Sequence, residues 1–225
     1  MKKTINDLKD SIKQRAIIKS GNNSVKGLDG IATINWDVYG VPHATVTSEL
    51  DMWFIQGFLH AQDRLWGMER TRRFVKGTLS EIIGPGGLGP DKFFRRVGTM
   101  RAAKKEWDSL ENEGKNVIEA YTAGVNAYLD LELPLPIEFE LLDYVPERWS
   151  PLDVTGRWKL IAHSQSLSGH AKISRMQMLQ ALGVENFKKI FPYYPVDAPV
   201  MVPMGELAGE RSITNLMITG RFMLK

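Results

Sequence analysis

A long helical pattern in the first third of the chain limits the possible folds more than any other feature. From Ser48 to Gly77, apolar residues recur every three or four positions, the spacing that places them on one face of an α-helix. Ser48, with Asp51 three positions later, is typical of a helix start, and Gly77 is typical of a helix end. The sequence therefore predicts a long amphipathic helix whose apolar face contains Phe54, Phe58, Ala61, Leu65 and Met68.

The remaining segments predict further helices and a few short strands. Residues 31–37 and 44–47 are rich in β-branched side chains and flank a turn at 39–42, which predicts a hairpin or two adjacent strands. The glycine- and proline-rich stretch 84–90 predicts an irregular loop, after which a helical pattern resumes near Phe93. Further predicted elements are a short N-terminal helix (Ile5, Leu8, Ile12, Ala16), a helix over 117–129, a helix over 150–182 that ends at Gly183 or breaks at Ser168-Gly169, and a strand over 213–219. The chain is predicted to be mostly helical.

The composition excludes several classes of protein. The 225 residues are 43% hydrophobic, which is typical of a soluble globular chain. The 29 basic and 26 acidic residues are spread along the sequence and do not predict a nucleic-acid binder. No run approaches the about 18 apolar residues of a membrane-spanning helix, and there is no cysteine for disulfides or thiolate catalysis. The N-terminus lacks the apolar core of a signal peptide, so we expect a cytoplasmic location, with a periplasmic or secreted one as the alternative.

An ordered set of motifs runs from Gly27 to Asp153. A single motif of this kind carries little information, but this order and spacing over more than half of the chain are hard to obtain by chance. The motifs are Gly27-Leu28-Asp29-Gly30, Tyr39-Gly40-Val41-Pro42-His43, the stretches 57–66 and 77–84, Ala120 to Tyr128, and Pro146-Glu147-Arg148-Trp149-Ser150-Pro151-Leu152-Asp153. In this arrangement they resemble the α-chain region of the penicillin acylase family, a family of N-terminal-nucleophile hydrolases.

The resemblance implies an α+β fold, in which this chain is the mostly helical α-chain portion of an αββα core. That core is incomplete without a β-chain, whose first residue is a serine that attacks the substrate amide. The α-amino group of that serine is the base, and its ordinary pKa of about 7.7–8.0 suits the task. Implied boundaries are an N-terminal extension at 1–24, the α-chain region at 25–211, and a remnant or start of the β-chain at 212–225.

The implied function is that of an α-subunit, or truncated N-terminal part, of an amidohydrolase that cleaves linear amides. Its small-molecule substrates would be β-lactam acyl side chains or N-acyl-homoserine lactones, and its partner would be the β-chain. Without that partner the chain is expected to be inactive. The alternative is a non-catalytic remnant or a helical interaction module.

Two hydroxyl groups near the end of the chain are candidate nucleophiles. The family's β-chain opens with Ser-Asn followed by Trp, whereas here Ser212 precedes Ile213 and Thr214 precedes Asn215. Only five residues follow Gly220, so we expect the true nucleophile and the oxyanion hole to lie in a separate β-chain.

The resemblance also maps a substrate pocket onto the last predicted long helix. In some family members, residues of this helix line the acyl pocket, and the matching positions here are Ala162, Gln165 and Ser166. These side chains are smaller or more polar than the bulky apolar residues that hold an aromatic acyl group. The position of a calcium-binding glutamate is Lys172. A cation does not hold a cation, so no metal and no other cofactor is expected.

Several charged residues of the long helix have structural interpretations. His60 and Asp63 lie three positions apart, as in an acid/base pair, but no serine completes a triad there. We expect Asp63 and Arg64 to make buried or half-buried hydrogen bonds that join the helix to neighbouring loops. Glu69 and Arg73 are spaced for a weak ion pair on the exposed face.

Overall fold

The computed structural model describes residues 25–166 and 168–191, and the chain separates into two compact units, residues 1–167 and 168–225. The prediction of a mostly helical chain is confirmed. The described part of the first unit contains β1 (Thr33–Trp36), β2 (Pro42–Thr45), α1 (Glu49–Lys76), α2 (Ser80–Ile83), a 3-10 helix (Gly84–Gly87), α3 (Leu88–Val97), α4 (Thr99–Ser109), α5 (Asn112–Leu129), α6 (Ile137–Leu141) and α7 (Pro151–Gln165). The described part of the second unit consists mainly of α8 (Ser168–Ile190).

The two strands form the predicted hairpin. β1 pairs antiparallel with β2, with Thr33 opposite Thr45. The carboxylate of Asp37 holds the turn, because its Oδ1 accepts hydrogen bonds from the backbone N–H groups of Tyr39 and Val41, each at 2.9 Å. The register of the hairpin is therefore fixed by a side chain at the end of β1.

Both predicted ends of α1 are confirmed. The Ser48 hydroxyl oxygen accepts a hydrogen bond from the backbone N–H of Asp51 at 3.0 Å. At the other end Gly77 has a φ of 66°, a left-handed conformation that glycine adopts without strain. Arg64 has a non-helical φ of −135°, so α1 contains a kink that the apolar spacing did not indicate.

The core of the first unit lies where α1 packs against α5. Two glycines allow the helix backbones to approach closely. A Cβ atom at Gly57 would lie 2.1 Å from the carbonyl oxygen of Tyr121, and one at Gly124 would lie 1.9 Å from that of Phe54. Around this crossing the buried residues include Phe54, Phe58, Ala61, Leu65, Ile118, Val125 and Tyr128.

The stretch 84–90 is not the irregular loop that its composition predicts. Gly84–Gly87 form a 3-10 helix, and α3 begins at Leu88. Both prolines occupy the first turn of their element, where the missing N–H group removes no hydrogen bond. The prediction of a loop was wrong because proline interrupts a helix interior but fits a helix start.

The predicted helix over 150–182 is two helices. α7 ends at Gln165 and α8 begins at Ser168, close to the alternative break predicted at Ser168-Gly169. The predicted helix end at Gly183 coincides with a kink in α8: Gly183 has a non-helical φ of 71°, and helical structure resumes after it and continues to Ile190.

Several predictions concern residues outside the described ranges, where they stay predictions. These are the N-terminal helix, the strand over 213–219, and the boundaries at 24 and 211. Within the described ranges, no helix combines the length and the apolar character needed to cross a membrane.

Candidate functional site

A buried ionic network joins α1 to the start of α7. Glu69 is fully buried, and its Oε2 lies 2.6 Å from Nη2 of Arg72. Arg72 Nη1 also donates a hydrogen bond to the Arg148 carbonyl at 3.1 Å and lies 3.7 Å from Asp153 Oδ2. Lys76 Nζ lies 2.6 Å from the other oxygen of Asp153. Because Asp153 belongs to the first turn of α7, these contacts fix where that helix begins.

The expected exposed pair of Glu69 and Arg73 belongs to the same buried network. Arg73 Nε donates to Glu69 Oε1 at 3.1 Å, and the Tyr144 hydroxyl donates to the same oxygen at 2.6 Å. Burial works against the charge of Arg72, but its pairing with Glu69 outweighs burial and raises the pKa of the guanidinium. The prediction of an exposed pair was wrong, because the chain that leads into α7 covers this polar face of α1.

The direction of α7 is set by two further contacts at its start. The Asn126 side chain clamps the backbone of Trp149, donating to its carbonyl at 2.9 Å and accepting from its N–H at 2.8 Å. Asp153 Oδ2 accepts from the backbone N–H of Ser150 at 2.8 Å. The predicted helix start at Ser150-Pro151 is thereby confirmed. The Asn126 contacts also hold the residue before this start against α5.

A cavity of about 530 Å³ lies between α1, α5 and α7. This volume is within the range of about 300–1,000 Å³ found for small-molecule sites. Its walls are mainly aromatic and aliphatic, and they include Trp53, Met68, Val117, Trp149, Trp158 and Ile161. Among the residues that the structure describes, its charged lining side chains are those of Arg64 and Arg157, and none of the lining residues is an aspartate or a glutamate.

His60 and Tyr121 form a polar pair in the wall of this cavity. His60 Nδ1 lies 2.9 Å from the Tyr121 hydroxyl, a hydrogen bond whose donor depends on the imidazole tautomer. Burial lowers the pKa of His60, and the Arg157 guanidinium lowers it further against a smaller opposing effect of Asp63. Burial also raises the pKa of Tyr121. Both groups are therefore neutral at neutral pH.

The His60 imidazole is expected to titrate below the ordinary value of 6.5 when followed by NMR. As the pH falls through about 6.5, the unfolded chain takes up the proton first, so the folded chain loses stability below that pH. Replacing Arg157 by glutamine should raise the pKa of His60, because a nearby positive charge is removed. The matched control is Arg70→Gln, an exposed arginine of α1 outside the cavity. A His60 pKa above 6.5 in the unaltered chain would contradict this electrostatic description.

The sequence-predicted pocket residues lie at the C-terminal end of α7. Ala162, Gln165 and Ser166 are all exposed, and the lining of the cavity ends one residue earlier at Ile161. The Ser166 hydroxyl donates to the Ala162 carbonyl at 2.7 Å. A role for these three residues in substrate binding stays a prediction.

The candidate nucleophiles Ser212 and Thr214 lie outside the described residues, and their role also stays a prediction. Lys172 is exposed on α8. Within residues 25–166 and 168–191, there is no group of three or more histidine, aspartate or glutamate side chains that could hold a metal ion.

The structural role predicted for Asp63 and Arg64 was wrong in its location. Both side chains are exposed, and His60 bonds to Tyr121 rather than to Asp63. The buried polar residues of α1 are instead Asp51, Gln62, Glu69, Arg72 and Arg73. Removing Asp63 should therefore have little effect on stability, in contrast to removing Glu69.

Sequence reasoning missed the residues that form the cavity. Trp53, Tyr121 and Arg157 come from three helices that are far apart in the sequence. No spacing pattern links such positions. One feature of the sequence could have helped to find the cavity. Gly57 and Gly124 each lie within one of the ordered motifs, and they mark the point where α1 and α5 cross.

The penicillin amidase family model matches residues 31–215 of this chain. The chain belongs to the penicillin amidase family. Similar members of the penicillin amidase family include the penicillin acylase 2 proenzyme of Pseudomonas sp. (strain SE83), 37% identical over 176 residues that make up 76% of this chain and 22% of that protein. The acyl-homoserine lactone acylase QuiP of Pseudomonas aeruginosa is 30% identical over 177 residues, 78% of this chain and 21% of that protein. The chain thus spans about a fifth of the length of these relatives.

A solved structure of the penicillin amidase family has the same fold. The thermostable penicillin G acylase from Alcaligenes faecalis superposes with a TM-score of 0.62 at 28% identity, covering 77% of this chain and 97% of that chain. The predicted fold class is confirmed: the described helices form the mostly helical region of an N-terminal-nucleophile hydrolase.

Proposed function

We propose that this chain is the α-chain region of an amidohydrolase that cleaves linear carbon–nitrogen amide bonds together with a β-chain. One observation carries the proposal: the superposition covers 97% of one chain of a solved penicillin G acylase. A helical region that matches nearly a whole acylase chain is suited to the same structural task. The chain is similar to a penicillin acylase and to an acyl-homoserine lactone acylase. This similarity supports a substrate class that consists of β-lactams with acyl side chains or of N-acyl-homoserine lactones.

The proposed chemistry divides between the two chains. The N-terminal serine hydroxyl of the β-chain attacks the amide carbon, its α-amino group takes the proton, and the amine leaves as the acyl-enzyme forms. Water then releases the carboxylic acid. This chain contributes the end of α7, where Ala162, Gln165 and Ser166 would form part of the acyl pocket. Their exposure supports this role, because side chains that meet a substrate cannot be covered by their own chain.

Exposed apolar side chains support the need for a partner. In the first unit, Leu50, Met52, Trp158 and Ile161 are each at least 40% exposed. In the second unit, α8 exposes Ile173, Met176 and Val184, each more than half. Contiguous exposed apolar surface tends to mark protein interfaces, and these exposed side chains are candidates for such a surface. A β-chain that packs on these faces would remove them from water.

The partner is tested by purifying the tagged chain from its native host. We expect a second chain to copurify, with serine as its first residue by N-terminal sequencing and with hydrolysis of an acyl-amide substrate in the same fraction. A tagged chain that purifies without such a partner, from cells whose extract hydrolyses no acyl amide, would contradict the proposed function.

A further inference from the structure

We infer that three aromatic rings between α3 and α7 position the end of α7 and thereby set which acyl groups the proposed pocket accepts. The rings belong to Phe93, Phe94 and His163, and we call them the aromatic clasp. The inference rests on the proposed function, because the end of α7 carries the proposed acyl-pocket positions. Among the described lining residues of the cavity between α1, α5 and α7, none belongs to the clasp. The clasp is therefore a separate feature of the fold.

α7 is anchored at its start and loosely held at its end. Residues 153–156 are buried, and Gly156 lies against Met100 of α4, since a Cβ atom there would be 3.0 Å from the Met100 Sδ. From residue 157 to residue 166 no residue is buried, and only three are half-buried, namely Lys159, Leu160 and His163. The position of the acyl-pocket residues therefore depends on the contacts that these half-buried side chains make.

The aromatic clasp ties this end of α7 to the core. The His163 ring centroid lies 5.5 Å from that of Phe93 and 5.7 Å from that of Phe94. Phe93 and Phe94 are in edge contact at 5.1 Å, and Phe94 lies 4.6 Å from Phe74 of α1. Ring pairs with centroids about 4.5–7 Å apart attract each other in such tilted and edge-on arrangements. Since Phe94 is buried, the clasp connects His163 to α1.

The space around the clasp is only partly filled. A hollow of about 430 Å³ lies between α3 and α7, and its described lining includes the clasp, Pro90 and Leu160. Another contact of this part of α7 is the ion pair of Lys159 with Glu106 on α4, which is partly exposed and therefore weak. Removal of a clasp ring would leave more unfilled space, so the end of α7 would be free to shift toward α3.

The backbone of α7 couples His163 to the proposed pocket. Ser166 donates a hydrogen bond from its backbone N–H to the His163 carbonyl at 2.9 Å, and from its hydroxyl to the Ala162 carbonyl at 2.7 Å. Ala162 and Ser166 therefore move together with His163. A large acyl group that touches these positions should depend on the clasp, whereas a small one that does not reach them should not.

Amide hydrogen exchange in the purified 225-residue chain tests whether the clasp holds α7. Phe93→Leu and His163→Ala should speed exchange over residues 160–166 about tenfold and leave the buried residues 153–156 unchanged. Phe93→Tyr and His163→Phe keep an aromatic ring at each position and should exchange like the unaltered chain. The matched control is Val97→Ala on the next turn of α3, because Val97 is half-exposed and outside the clasp.

Kinetics of the copurified complex test whether the clasp sets acyl selectivity. The probes are phenylacetyl 4-nitroanilide and acetyl 4-nitroanilide, which share a leaving group and differ in acyl size. Phe93→Leu should raise KM about tenfold for the phenylacetyl substrate and less than about twofold for the acetyl substrate, because only the larger group reaches the pocket. Since the nucleophile is proposed to lie in the β-chain, kcat should stay within about twofold. Phe93→Tyr should restore the unaltered KM.

Different outcomes would contradict the inference and the proposed function. The inference is overturned if Phe93→Leu and Val97→Ala exchange alike, or if Phe93→Leu changes KM equally for both substrates. A fall in kcat with no change in KM would also overturn it, because a shifted pocket wall weakens substrate binding. Absence of hydrolysis by the unaltered complex would contradict the proposed function instead, and the exchange result alone would then decide whether the clasp positions α7.

Discussion

Replacing Glu69 by alanine is expected to lower the free energy of unfolding by about 3–5 kcal/mol. Glu69 is fully buried, and its carboxylate lies against the guanidiniums of Arg72 and Arg73 and accepts a hydrogen bond from Tyr144. Without it, two buried positive charges lose their shared partner. Chemical denaturation followed by tryptophan fluorescence measures the change.

Two control variants define what the Glu69 result means. Lys104→Ala removes an exposed ion pair with Asp108 at 2.9 Å and should change stability by less than about 1 kcal/mol. Glu69→Gln should fall between the two, because an amide keeps an acceptor oxygen but loses the charge. A loss below about 1 kcal/mol for Glu69→Ala would show that the network does not hold α7 against α1.

Replacing Gly124 by alanine is expected to cost about 3 kcal/mol, the upper end of the usual cost of overpacking. The new methyl group would lie 1.9 Å from the Phe54 carbonyl oxygen, which belongs to the backbone of α1 and cannot rotate away. Gly57→Ala should behave alike, because its methyl group would meet the Tyr121 carbonyl oxygen at 2.1 Å. Thermal and chemical unfolding of both variants measure the effect.

The matched control is Gly67→Ala, in the same helix as Gly57. A Cβ atom at Gly67 meets no atom within 4 Å, so the substitution only reduces the freedom of the unfolded chain. It should raise stability by about 0.5–1 kcal/mol. An equal change in stability for Gly67→Ala and Gly124→Ala would contradict this explanation. It would show that position 124 does not need glycine for close packing of α1 on α5.

The parts of the fold that follow local rules could be predicted from the sequence. α1 begins after Ser48 and ends before Gly77. The Ser48 side-chain oxygen and the left-handed backbone of Gly77 satisfy the free backbone groups at the two helix ends. Ser150 and Asp153 mark the start of α7 for the same reason. The ordered motifs also indicated the family correctly.

The parts that depend on contacts between distant segments could not be predicted. Glu69 was placed on an exposed face because helical spacing separates polar from apolar residues and cannot show that another segment covers the polar side. Arg157 and Tyr121 line the same cavity because their helices pack against α1 at neighbouring places. The spacing of residues along the sequence does not predict how helices pack together. The cytoplasmic location and the roles of Ser212 and Thr214 stay predictions.

The claim that the nucleophile lies in the β-chain is tested most directly by measuring amide hydrolysis. The homogeneous 225-residue chain is assayed alone and together with the copurified second chain. Phenylacetyl, aliphatic acyl and homoserine lactone amides are the substrates. The chain alone should show no turnover, and activity should appear when the β-chain with its N-terminal serine is present. Turnover by the chain alone, lost on replacing Ser212 or Thr214 by alanine, would contradict the account and place the nucleophile in this chain.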